Sequence, residues 1–151
     1  MTARDVLQLM TLFEQAHIEV ILDGGWGVDA LLGEQTRTHA DLDIVLLYQD
    51  VPRPDTRPVN FVMGDAHGRQ VDIHTYTLDR ENHPEQGLDY PLESLRGTGS
   101  ILGHAVRCID ARNMVQFHTG YTLDQDDYLD VKALCRRFGL PLPPEYARFE
   151  R

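Results

Sequence analysis

The sequence predicts an α+β fold: a mixed β-sheet flanked by helices, with a C-terminal helix closing the pattern. Three observations carry this reading. Apolar residues near the start recur at helical spacing. The middle of the chain holds short apolar runs of strand length, divided by Gly, Pro and Asp. A last helical run opens at Leu123 or Asp124 and reaches Phe138.

Thr2 to Ala16 reads as a helix, with Thr2 as N-cap and Asp5 three residues on. Val6, Leu9, Met10, Phe13 and Ile18 fall close to a 3.6-residue period. Glu19 to Leu22 is a short strand, broken by Asp23, Gly24 and Gly25. Trp26 to Leu32 is a short amphipathic helix that Gly33 ends. Trp26 is read either as a core residue or as a face for a ligand to stack on. Gln35 to Ala40 is a polar turn.

Asp41 to Leu47 is a strand with two unlike faces. Asp41, Asp43 and Val45 share one; Leu42, Ile44 and Leu46 share the other. The strand therefore starts at an open edge and runs into the core. Asp50 to Pro58 carries three prolines in nine residues and is not a helix. Val59 to Met63 and Gln70 to Tyr76 are strands joined by a glycine-bearing turn. Leu78 to Tyr90 is polar and irregular. Gly99 to Leu102 and Ala105 to Ile109 are two more strands, with Gly103-His104 as their turn. Asp110 caps a helix through His118, and "GLPLPPEY" ends regular structure.

Composition sets the outer bounds. The 151 residues fit one domain, with a core over about residues 3–118 and a helical segment over about 119–151. A net charge of −10 argues against a DNA or RNA partner and suits a cationic small substrate. Cys108 and Cys135 lie far apart without a CxxC pairing, which suggests a reduced, cytoplasmic protein. No leader is recognisable, and no apolar run approaches the roughly 18 residues of a membrane helix, so no membrane partner is expected. The 7 histidines show no HxxxH or HExxH spacing, which argues against zinc. An oligomer is compatible with all of this.

The chemistry concentrates in "GGWGVDALLGEQTRTHADLDIVL". Asp41 and Asp43 are two apart on a strand, which puts their Cα atoms roughly 6.5 Å apart on one face. Adjacent carboxylates repel, and a divalent cation between them removes that penalty. A third carboxylate from a neighbouring strand would complete a two-metal site. Asp72 in "QVDIHTY" is the candidate, with His74 on its face. Gly24 and Gly25, between a strand and a helix, suit close approach to a phosphate at the helix N-terminus. Arg37, in the turn before Asp41, is placed to contact a triphosphate. His39 is read as a turn residue or a support for the aspartates.

G-G-W, then T-R-x-H-x-D-x-D, then V-D-I-H resembles the small antibiotic nucleotidyltransferases of the DNA polymerase β-like superfamily. The likeness is to the lincosamide nucleotidyltransferases, with the aminoglycoside 2''-nucleotidyltransferases as relatives. It continues in "QFHTGYTLDQDDYLDVKAL" and so runs from about Val6 to Leu134. The resemblance implies a nucleotidyltransferase fold. It also implies transfer of a nucleoside monophosphate, usually AMP from ATP, to an antibiotic hydroxyl with release of pyrophosphate. On the same resemblance Asp41 and Asp43 hold Mg²⁺, with two ions expected. Asp72 is the third ligand or the general base. Gly24, Gly25 and Arg37 hold the triphosphate, and Lys132 reaches the phosphates. His118, Tyr121, Asp126 and Asp130 line the acceptor side.

One departure stands out. The family usually has a helix between the D-x-D strand and the next, and here only Tyr48 to Pro58 separates them. A crossover helix needs about a dozen residues or more, so either the element is lost or residues are absent from the sequence. That departure motivates a second reading: an antitoxin of nucleotidyltransferase fold, or a nucleotide-binding module acting on a partner protein.

Overall fold

The computed structural model describes residues 1–51 and 58–150. Helix α1 (Ala3–Gln15) begins at a reciprocal cap: the Thr2 hydroxyl accepts from the Asp5 N–H, and the Asp5 carboxylate accepts from the Thr2 N–H. The short strand β1 (Ile21–Leu22) leads into α2 (Gly24–Leu32), which stops at Gly33 with φ 77°. Helix α2 starts two residues earlier than the sequence predicts. The Asp23 carboxylate accepts the Gly24 N–H at 2.8 Å, so the glycine pair is the helix's first turn rather than a loop ahead of it.

Strands β2 (Leu42–Leu47), β3 (Asn60–Gly64), β4 (Gln70–Tyr76), β5 (Gly97–Ile101) and β6 (His104–Cys108) complete the sheet. Helices α3 (Ala111–Phe117) and α4 (Gln125–Phe138) follow. Asp110 caps α3 as expected, and Asp124 caps α4 in a reciprocal pair with Asp127. The strand order is β3-β4-β2-β1-β6-β5. Pairs β2–β4 and β1–β6 are parallel and the other three antiparallel, so the sheet is mixed.

Period-two alternation divides the core. Leu42, Ile44, Leu46 and Ile73 pack with Val6 of α1 on one face. Val45, Tyr76 and Ile109 pack with Met114, Val131 and Leu134 of α3 and α4 on the other. Trp26 is buried to 1% exposure in the first cluster, which gives it a core role. Both cysteines are free and buried, and burial pushes the Cys108 thiol up to about 12.

Three sequence readings need correction. The β5–β6 turn is Leu102-Gly103, both with positive φ, so His104 opens β6. A 3-10 helix over Pro144–Phe149 follows the C-terminal prolines, because Tyr146 is fully buried among Tyr128 and Leu134 and folds the tail back. The third concerns the connection after β2. Of the proline-bearing segment Asp50–Pro58, residues 52–57 lie outside the described residues, and Tyr48–Asp50 form one 3-10 turn. Strand β3 is antiparallel to β4, which is parallel to β2. The chain therefore enters β3 at the same end of the sheet where it leaves β2, and this topology requires no crossover helix.

Gly99 lets α2 lie directly on β5. A Cβ there would overlap the Ala30 carbonyl and come within 2.9 Å of Leu31 N. Gly99→Ala is expected to destabilise the protein by about 2 kcal/mol or more, as overpacking against backbone does. Urea titration against the wild type measures this; a loss below about 0.5 kcal/mol would show that α2 lifts off freely.

Candidate active site

The parallel register of β2 and β4 sets Asp43 directly beside Asp72, both on the face toward α2 and α3. Gly24, at φ 53°, lies over the Asp43 carboxylate: a Cβ would overlap its Oδ2 and come within 2.7 Å of Cγ. The N-terminal end of α2 thus abuts an acidic group. Gly24→Ala is expected to displace Asp43 and lower turnover by about 100-fold or more, since misplacing a reactive group by about 1 Å costs that much. Steady-state kinetics beside circular dichroism separates this from unfolding.

Four carboxylates meet here, with the His74 imidazole beside them. Burial first, then the charges of Asp41, Asp23 and Asp72, pushes Asp43 up to about 6. Asp72 Oδ1 is buried without a hydrogen bond. The imidazole Nε2 of His74 lies 3.5 Å from it. Among the described residues, no Lys or Arg lines the cleft above them. An orphaned carboxylate oxygen beside a proton-retaining carboxyl is what a divalent cation relieves, so the residues fit a metal.

The atoms that converge here differ in part from the set named in the sequence analysis. One atom each from Asp43, Asp72 and His74 lie within 4.8 Å of one another, and Asp41 is outside that group. Asp41 stands one residue ahead of β2, where the strand's alternation does not hold its side chain, yet close enough to raise Asp43.

The cleft holds about 500 Å³, and Tyr90, Phe117, His118 and Tyr121 help line it. Tyr90 was not singled out by sequence reading, because it sits in a segment without periodicity. It is brought in by backbone contacts: the Leu88 N–H donates to the Thr75 carbonyl at 2.7 Å, and Gly87 lies against Tyr76. Its hydroxyl donates to Asp23 Oδ2 at 3.0 Å, and its ring meets Phe117 edge-on.

The polar turn is fastened beneath Gly25. Asp29, 1% exposed, bonds His39 at 2.5 Å and accepts from the Thr36 N–H and hydroxyl. A Cβ on Gly25 would fall within 2.6 Å of the His39 ring. This fixes Arg37 facing α4, where it pairs with Asp130 at 2.8 Å and Asp126 at 3.8 Å. Burial raises Asp130 more than Arg37 lowers it. Lys132 bonds the Tyr128 hydroxyl at 2.7 Å and lines a separate groove with Glu34 and Arg136. The structure therefore brings Gly24, Asp43, Asp72, His118 and Tyr121 together, with Asp41 beside them. It engages Arg37, Asp126 and Asp130 with one another and sets Lys132 apart.

Among the described residues, no helix is long and apolar enough to cross a membrane. The family model for aminoglycoside-2''-adenylyltransferases matches residues 5–134. A lincosamide resistance protein of Staphylococcus haemolyticus is 30% identical, over 88% of this chain and 94% of that protein. The crystal structure of the lincosamide antibiotic adenylyltransferase LnuA, lincomycin-bound, superposes with a TM-score of 0.74 at 26% identity, over 88% of this chain and 96% of LnuA. The crystal structure of ANT(2'')-Ia in complex with adenylyl-2''-tobramycin shares the fold, with a TM-score of 0.67 at 16% identity over 91% of this chain and 89% of that one. A mixed sheet of this order, an acidic pair in register under a helix N-terminus, and a family match across most of the chain agree: the protein belongs to the aminoglycoside-2''-adenylyltransferase family of antibiotic nucleotidyltransferases.

Proposed function

We propose that this protein transfers AMP from ATP to a hydroxyl of a small antibiotic, a lincosamide or an aminoglycoside, and releases pyrophosphate. The observation that supports this most is the in-register Asp43–Asp72 pair, with Asp41 beside it and, among the described residues, no Lys or Arg in the cleft. These aspartates would hold Mg²⁺, as two ions in the full site. Bound divalent cations neutralise charge on the attacking and leaving oxygens of such a transfer.

The chain's own groups supply the rest. The first turn of α2, at Gly24 and Gly25, receives phosphate oxygens at the positive end of a helix dipole. Asp72 acts as ligand or as the base that takes the acceptor hydroxyl's proton at its unpartnered Oδ1. Tyr90, Phe117 and Tyr121 give the acceptor an apolar wall, and the carboxylates attract its amines. Lincosamides lead the list because the relatives with the higher identities act in that class by name.

The test is incubation with ATP, Mg²⁺ and a panel of lincosamides and aminoglycosides, following pyrophosphate. Release stoichiometric with a modified antibiotic, and stopped by EDTA, is expected. Folded protein that binds ATP and modifies no acceptor overturns the reading.

A further inference from the structure

His74 lies two residues beyond Asp72 on the same face of β4, level with Val45 of β2. Its two ring nitrogens have different surroundings. Nδ1 is 2.9 Å from the Tyr90 hydroxyl oxygen, and that hydroxyl donates its one proton to Asp23 Oδ2 at 3.0 Å. The tyrosine oxygen can then only accept, so Nδ1 carries a proton and donates it. Nε2 is left with its lone pair. It points at the acidic pair, 3.5 Å from the Asp72 oxygen that has no hydrogen bond.

This is how a metal-binding histidine is oriented: one nitrogen donates to an outer partner and the other faces the ion. The outer chain is itself anchored. Asp23 caps α2, and Tyr90 is pinned by Leu88 to Thr75 and by Phe117. Rotating the imidazole would break the Tyr90 bond and disturb both.

We infer that His74 Nε2 is a protein ligand of the metal centre beside Asp43 and Asp72, and that it strengthens the binding of Mn²⁺ there more than that of Mg²⁺. The inference rests on the metal-site reading given under Proposed function. Mg²⁺ favours an all-oxygen shell, and a first-row transition ion such as Mn²⁺ gains more from an imidazole nitrogen than Mg²⁺ does. Asp23 and Tyr90 are positioning residues in this scheme; they act through His74.

The experiment is metal titration of the full chain without nucleotide, by calorimetry, joined to pulsed EPR of the Mn²⁺-loaded protein. Wild type is expected to bind Mn²⁺ and to show modulation from an imidazole nitrogen. His74→Asn removes the modulation and weakens Mn²⁺ by about 10- to 100-fold, while Mg²⁺ changes by less than about threefold. Tyr90→Phe keeps the modulation and weakens Mn²⁺ by about tenfold, the loss of an outer partner. Absence of nitrogen modulation in the wild type overturns the inference, whether or not the variants fold. So do equal losses for both ions in His74→Asn. Mn²⁺ binding that survives Asp43→Asn unchanged has a different meaning: the carboxylate site is then misassigned and the proposed function falls with it.

Discussion

Asp43→Asn is expected to abolish turnover and, in EDTA, to stabilise the protein. Asp43 is raised from 3.8 to about 6 by burial and by three neighbouring carboxylates. Folding therefore favours its protonated form. Stability from this group is fullest below pH 3.8, declines as pH rises toward 6, and the whole penalty stands above 6. An ionised Asp43 costs the metal-free fold up to about 3 kcal/mol. Asparagine keeps the shape without the charge. At pH 8 the variant should melt roughly 5–10 °C higher than wild type, and at pH 4 the gap should close. Turnover should fall by about 1000-fold or more, the scale on which charge stabilisation at a reacting group is lost. Melting curves at both pH values decide it. A gap independent of pH would mean that Asp43 is already neutralised by something other than protons.

Arg37→Ala is expected to cost stability more than nucleotide affinity. Its guanidinium donates to both Asp130 oxygens through Nε, at 3.3 and 3.1 Å, with Nη2 reaching Oδ2 at 2.8 Å. The Asp130 side chain is 2% exposed, against 29% for Arg37. Removing the arginine leaves a buried carboxylate alone. Breaking such a pair from one side costs about 3–5 kcal/mol, reduced here to about 2–4 because Arg37 is partly wet. Asp130→Asn in the same chain should restore part of that loss, because the amide carries no charge to bury. The deficit should also shrink as pH falls and Asp130 protonates. Thermal melts of the single and double variants measure both. Arg37→Ala protein that melts like wild type while its KM for ATP rises would place the guanidinium on the triphosphate instead.

What was legible in the sequence was local. The caps at Thr2 and Asp110 depend on side chains two or three residues from the backbone groups they satisfy, and both are present. The alternation in Leu42–Leu47 divides correctly between two faces. Strand order and register were not legible, since they depend on partners far along the chain. The neighbouring of Asp43 and Asp72 comes from the β2–β4 register, which V-D-I alone does not contain. His74 was seen as sharing the Asp72 face, but its fixed orientation comes from Tyr90, 16 residues on in an irregular segment. Arg37 reads as free in a basic turn, and its engagement depends on where α4 packs. The short connection after β2 reads as a departure from the family for the same reason: whether a crossover is needed depends on the direction of β3, which is antiparallel to β2.

The order β3-β4-β2 also separates two margins of the sheet. Strand β2 rises about 3.3 Å per residue, so Leu47 lies about 13 Å from Asp43. The chain leaves for β3 from that distant end, whereas the β3–β4 hairpin turn and the acidic pair share the other. Leu47, where β2 ends, and Asn60, where β3 begins, therefore lie at the margin of the sheet remote from the acidic pair. The spacing of the carboxylates is thus set by the β2–β4 ladder and not by how the chain is joined at that far margin.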